Sequence, residues 1–249
     1  MELYDGPRKK PLNEDVYDNN GIDEEEFTEI NVAENQPSLP ARRRFLLAIA
    51  GIPGSGKSTF AKNIVNGVNN SFEHEAAVLV PMDGFHYTKK ELEGFENPEE
   101  ARMRRGAHWT FNAQGLLSLI SLLREDITDA PIFAPSFIHG IGDPKEDDIQ
   151  VSITHRLVVL EGLYLHLTEP PPWNEISSNM DELWFITVDP ALARSRLIKR
   201  HMKSGIALTE DAAAHRADTN DIPNGEFLLK YSAAPDRIIQ SIEEEGHGI

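Results

Sequence analysis

Short apolar runs alternate along this chain with longer stretches whose apolar residues return every three or four positions. Residues 45–50 (Phe-Leu-Leu-Ala-Ile-Ala), 77–82, 132–137, 149–153, 156–160, 183–188 and 238–242 predict strands. Residues 113–125 place Leu116, Leu117, Leu119, Ile120, Leu122 and Leu123 on a broad apolar face and predict a helix, with Asn112 as its N-cap. Residues 59–65 predict another, and residues 190–203 a basic one with Pro190 in its first turn. Strands alternating with helices predict an α/β fold: a mainly parallel sheet with helices on both faces. Ligands in such sheets bind beyond the C-terminal ends of the strands.

The first strand runs directly into Gly51-Ile52-Pro53-Gly54-Ser55-Gly56-Lys57-Ser58, followed by Thr59 and the first helix. This matches G-x-x-x-x-G-K-[S/T] in its strand–loop–helix setting, and so predicts a three-layer P-loop NTPase fold. Glycines let the backbone curl so that successive N–H groups face an anion, and the helix N-terminus adds partial positive charge. Lys57 is expected to reach the β- and γ-phosphates of a nucleoside triphosphate, and the Ser58 hydroxyl to sit on Mg²⁺.

Charge divides the chain. Residues 1–40 hold 11 acidic and 3 basic side chains, nearly half of the net −17. They predict an acidic, loosely ordered leader with one short helix around residues 23–29, ahead of one α/β domain over 41–243 and a tail at 244–249. Such acidity disfavours nucleic acid or anionic membrane as a partner. Arg42-Arg43-Arg44 predicts a solvated strand entry. No run approaches the roughly 20 apolar residues of a membrane span. The first residues lack signal-peptide character, and the chain has no cysteine. An intracellular, cytoplasmic protein is the expectation.

The remaining candidates surround the predicted phosphate loop. Asp83, just after the second strand, can take a proton from an attacking hydroxyl, hold a metal-bound water, or cap a turn before Gly84. Glu161 ends a buried strand, where a metal-linked acid or a solvated one would stand. Arg194, Arg196, Lys199, Arg200, His201 and Lys203 crowd one helix, with Arg196 and Arg200 on a shared face. They predict a solvated basic surface or a lid, about residues 190–218, that closes over a transferring phosphoryl group. Arg102, Arg104 and Arg105 could clamp an anionic substrate or line an exposed helix. Phe85, His86, Tyr87, Trp109, Phe111, Phe133 and Phe137 could line an acceptor pocket or pack in the core. His86 and His139 have no metal-ligand spacing with other candidates.

In their order, Gly51–Thr59, Met82-Asp83-Gly84-Phe85-His86-Tyr87, Val158-Val159-Leu160-Glu161-Gly162 and the 194–201 helix resemble the uridine kinase, pantothenate kinase and phosphoribulokinase group over residues 44–243. Asp-Gly-Phe is more similar to pantothenate kinases than to the Asp-Ser-Phe of uridine kinases. The chain further resembles a branch of fungal ATP-dependent kinases and bacterial fructose-transport-type kinases. The likeness is carried by Arg105-Gly106-Ala107, Thr110-Phe111, Ala134-Pro135-Ser136-Phe137, Gly142-Asp143-Pro144 and Asn220-Asp221-Ile222-Pro223-Asn224-Gly225. The resemblance implies transfer of the γ-phosphoryl of MgATP to a hydroxyl of a small metabolite. Asp83 would be the catalytic base, Lys57 and Ser58 would bind phosphate and magnesium, Glu161 would assist at the metal, and Arg196 and Arg200 would act in the lid. Asn220 and Asn224 would lie near the adenine edge, and Phe85, His86, Tyr87, Arg105, Trp109 and Phe137 near the acceptor. Uridine, cytidine, pantothenate and sugars all remain open as acceptors, as does an ATP-hydrolysing switch with no acceptor. Two positions depart from the branch: His108 stands where it carries Pro, and Asn112 where it carries Asp. That Asp would either contact substrate or cap the following helix.

Overall fold

The computed structural model describes residues 43–138 and 140–242. The predicted leader, its short helix, Arg42, His139 and the tail lie outside them. The first strand, β1 (Phe45–Gly51), is buried along almost its whole length. Its side chains alternate between two cores: Leu46, Ala48 and Ala50 enter one, Leu47 and Ile49 the other. A strand apolar on both faces must be covered on both. Helix α1 (Lys57–Asn70) covers one face through Phe60, Ala61, Ile64 and Val65. The helices α4 (Ala113–Arg124), α5 (Trp173–Ser178) and α8 (Ile222–Tyr231) contribute Leu116, Ile120, Leu123, Trp173, Ile176 and Leu228 to the core on the other.

The main sheet is wholly parallel. Strand β1 lies between β5 (Leu157–Glu161) and β6 (Glu182–Val188), with β2 (Ala77–Pro81) and β7 (Arg237–Ser241) on the outer edges. The order β2-β5-β1-β6-β7 brings Ile49 opposite Glu161 and Pro81 opposite Glu161, so the ends of β1, β5 and β2 reach one edge together. That is the edge where the phosphate loop emerges.

A separate antiparallel hairpin, β3 (Ile132–Ile138) and β4 (Asp143–Val151), stands over this edge. Strand β4 begins well before the predicted 149–153, because its first half, Asp-Pro-Lys-Glu-Asp-Asp, is solvent-facing and carries no apolar period. Short helices α2 (Lys89–Leu92) and α3 (Pro98–Met103) follow β2. After β6 come α6 (Pro190–Lys203), as predicted, and α7 (Glu210–Arg216). A π-helical turn at Ala217–Asp221 then leads into α8.

Arg44 is not solvated as expected: it is 2 % exposed. Burial, with Arg156 nearby, lowers its pKa below the ordinary arginine value. Among the described residues no helix is long and apolar enough to cross a membrane.

Candidate functional site

The phosphate loop owes its shape to two residues with positive φ, Gly54 at 84° and Gly56 at 86°. A side chain at Gly54 would also strike α6, since a Cβ there would lie 2.5 Å from the Ala193 carbonyl oxygen. Ser55 donates its backbone N–H to the Ile52 carbonyl (3.1 Å), closing the turn. Its hydroxyl is buried without a hydrogen-bond partner, a polar group left for a ligand. Lys57 opens α1 directly after the loop. Burial lowers its pKa, against the pull of Glu161 and Asp83. These features fit a bound triphosphate.

Opposite the loop stand the acids. Glu161, 6 % exposed at the end of β5, accepts a hydrogen bond of 3.1 Å from the Ser58 hydroxyl. Burial raises its pKa, and Lys57 partly offsets that rise. Asp83 lies in the 3₁₀ turn Met82–Phe85 that follows β2. Its charge acts on both Lys57 and Glu161. The turn is held by the hairpin: a Cβ on Gly84 would lie 2.2 Å from the Pro135 carbonyl oxygen. Oxygen donors from Ser58 and Glu161 suit Mg²⁺. Among the described residues no group of three or more His, Cys, Asp or Glu side chains could hold a metal ion by itself. Magnesium commonly takes one or two protein ligands and completes its shell with phosphate and water.

The predicted lid arginines separate. Arg196 turns to the back of the phosphate loop, donating to the Gly54 carbonyl (3.4 Å), the Ser241 hydroxyl (2.9 Å) and the Ile242 carbonyl (3.0 Å). It braces the loop against the end of β7, contacts that differ from those of Arg200. Arg200 lies near enough to Lys57 to lower its pKa, and pairs with Asp221 at 3.4 Å. Asp221 also holds His201 at 2.9 Å. Arg194 pairs with Asp218 on the surface.

Asn220, in the π-helical turn, and Asn224, in α8, both reach the segment after α3: Asn220 Nδ2 donates to the Arg105 carbonyl (3.1 Å), and Asn224 Oδ1 accepts from Arg104 (3.1 Å). Asp221 and Arg216 join the same cluster and were not singled out as functional from sequence. For Asp221 the signal was its place inside Asn-Asp-Ile-Pro-Asn-Gly; a lone arginine in a polar helix offers none.

The expected acceptor residues also divide. Phe85 is buried in the core. His86 packs between Phe111 and Phe137, with ring centroids at 3.9 and 4.9 Å. Arg105 is a structural tie: it donates to the Tyr87 carbonyl (2.7 Å), pairs with Asp143 (2.9 Å) and lies over the Phe137 ring. Tyr87, Phe95 and Trp109 form a partly exposed aromatic row, with Trp109 37 % exposed. Tyr164, just after Glu161, donates its hydroxyl to the Gly106 carbonyl (2.8 Å). Burial pushes its pKa well above the ordinary phenol range, so it remains a donor.

Both departures from the branch pattern have local explanations. Asn112 caps α4, its Oδ1 accepting from Gly115 N–H at 2.8 Å. His108 stacks flat on Phe227 of α8, with centroids 4.3 Å apart and planes 6° apart.

Comparison with known proteins places this geometry among others. A Schizosaccharomyces pombe protein named "Putative uridine kinase C227.14" is 43 % identical over 204 residues, covering 82 % of this chain and 86 % of its own. "ATP-dependent kinase-like protein notR'" of Aspergillus versicolor is 44 % identical over 151 residues, 60 % of this chain and 87 % of its own. The crystal structure of a "putative fructose transport system kinase" from Silicibacter sp. TM1040 superimposes with a TM-score of 0.71 at 28 % identity, covering 82 % of this chain and 92 % of that one. No protein-family model matches.

Proposed function

The chain belongs to the family of ATP-dependent P-loop kinases that includes these uridine kinase-like proteins, and on that premise we propose that it transfers the γ-phosphoryl of MgATP to a hydroxyl of a small metabolite, with Asp83 as the base. The observation that carries this reading is the meeting of Lys57, Glu161 and Asp83 at the ends of β1, β5 and β2, close enough that each acid acts on the lysine's charge. A nucleotide-binding switch needs the lysine and a metal acid. It does not need a second carboxylate on the acceptor side of the γ-phosphate.

In this reading the loop amides, Lys57 and Arg200 hold the triphosphate and meet the charge that develops on the γ-phosphoryl oxygens. Magnesium held by Ser58 and Glu161 would neutralise charge on the β- and γ-phosphates. Asp83 accepts the proton of the acceptor hydroxyl as its oxygen bonds to phosphorus. The bond from phosphorus to the β–γ bridging oxygen breaks, and its electron pair leaves with ADP. A donor of this kind places the activity inside the cell.

The test is ADP release from MgATP across a panel of nucleosides, pantothenate, sugars and hydroxy acids, with wild type and Asp83→Asn. We expect one compound to accelerate release in wild type and to appear as a phosphorylated product. Asp83→Asn should bind MgATP normally and lose about two orders of magnitude in turnover. Hydrolysis that no compound stimulates, equal in both proteins, would overturn the assignment.

A further inference from the structure

We propose that the acceptor carries an anionic group, a carboxylate or a phosphate, recognised by Arg104 and Arg216. The inference rests on the kinase reading and names the substrate class of the same site.

Arg104 follows α3 and reaches the π-helical turn and α8, while Arg216 ends α7 and reaches back to the end of α3. Arg104 donates to the Thr219 carbonyl (2.7 Å) and to Asn224 Oδ1 (3.1 Å). Arg216 donates to the carbonyls of Met103 (2.6 Å) and Arg105 (3.0 Å). All four acceptors are neutral. Among the described residues neither guanidinium has a carboxylate within ion-pair distance, whereas Arg102, Arg105, Arg194 and Arg200 around them each have one.

Burial lowers the pKa of Arg216, and the Arg104 charge adds to this by less than Asp221 opposes it; Asp221 is shared with Arg200 and His201. A guanidinium has five N–H donors. Two are used on each, leaving donors for a carboxylate or phosphate.

The adjoining wall supplies what the rest of such a molecule needs. Asn220 is 3 % exposed, and its Oδ1 has no hydrogen-bond partner while its Nδ2 is spent on the Arg105 carbonyl. Gly106 leaves its face open toward the Asn220 and Asn224 amides, where a Cβ would stand 3.7 and 3.6 Å from their nitrogens. Cationic donors beside a buried hydroxyl acceptor fit a hydroxy acid or a sugar phosphate. A neutral nucleoside would offer those remaining donors no charge-assisted hydrogen bond.

The experiment fills the phosphate loop first. The full-length protein, loaded with Mg²⁺ and the non-hydrolysable β,γ-imido analogue of ATP, is titrated at matched ionic strength with inorganic phosphate, D-glycerate and glycerol, and its thermal midpoint is followed. We expect phosphate or D-glycerate to raise the midpoint at a concentration at least about tenfold below that at which glycerol acts. Which of the two acts separates a phosphate from a carboxylate. Arg104→Gln and Arg216→Gln should lose that response and keep the stabilisation by the nucleotide analogue. Arg216→Lys, which keeps the charge, should retain part of the response and guards against a merely structural loss. The proposal is overturned if neither anion stabilises the loaded protein, if glycerol does as well, or if both Gln variants respond like wild type. Failure of the underlying kinase reading looks different: the nucleotide analogue itself would not stabilise wild type, or would stabilise Lys57→Ala equally.

Discussion

The Ser58 hydroxyl donates to Glu161 Oε1 at 3.1 Å across 103 residues of sequence. The bond ties the helix after the phosphate loop to the end of the neighbouring strand, and puts the two oxygen donors offered to magnesium in one place. Glu161→Gln keeps a hydrogen-bond acceptor for Ser58 but removes the charge. Its Mg²⁺ requirement for half-maximal ADP release should rise about tenfold or more. Nucleotide binding without metal should not weaken, because a carboxylate facing the phosphates is gone. A magnesium titration of both proteins checks this, and an unchanged requirement would remove Glu161 from the metal site.

Arg196 and Arg200 sit one helical turn apart yet point to different tasks. Arg196 holds the Gly54 carbonyl, Ser241 and Ile242, so Arg196→Ala should loosen the phosphate loop. Both the thermal midpoint and MgATP affinity should fall. Arg200 lies beside Lys57 and Asp221. Arg200→Ala should cut turnover by about 10²-fold, through lost stabilisation of the transferring group, while MgATP binding changes by no more than about threefold. Isothermal binding alongside steady-state kinetics separates the two. The same split in the opposite residues would reverse the assignment.

Much of this architecture was legible in advance, and the gaps have physical reasons. The basic helix has the expected bounds, Pro190–Lys203, with proline in its first turn, and the structure adds Asp189 as its cap. The strand ends carrying Asp83 and Glu161 were marked by apolar runs that stop abruptly. Strand β4 was largely missed because half of it faces solvent and has no apolar rhythm. That Asn220 and Asn224 bond the segment around Arg104 and Arg105 was not legible, because a one-dimensional pattern does not show which residues a π-helical turn brings together. Arg104 and Arg105 are adjacent, yet one meets the π-helical turn and α8 and the other the hairpin. Only the tertiary fold distinguishes them.

Asn112 accepts from the Gly115 N–H, which is the capping role rather than a substrate contact. Asn112→Ala should cost about 1 kcal/mol of unfolding free energy, as loss of an N-cap does. Asn112→Asp caps equally well, so it should match wild type in both denaturant midpoint and turnover. A change in acceptor preference in the Asp variant, with stability intact, would instead place this side chain against substrate.

His108 stacks on Phe227, and burial lowers its pKa below the ordinary histidine value. The unfolded chain therefore binds a proton here at a higher pH than the folded one. Where the two differ, the unfolded state holds more protons and stability rises with pH. His108 thus destabilises the fold as pH drops from the unfolded value of about 6.5 toward its lower folded value. His108→Phe keeps an aromatic ring against Phe227 and cannot titrate. Its thermal midpoint should fall less than that of wild type between about pH 7.5 and 5.5. Taking the difference between the two proteins at each pH cancels His155, whose pKa burial also lowers. Parallel curves would mean that His108 gains its proton as readily in the folded protein as in the unfolded chain.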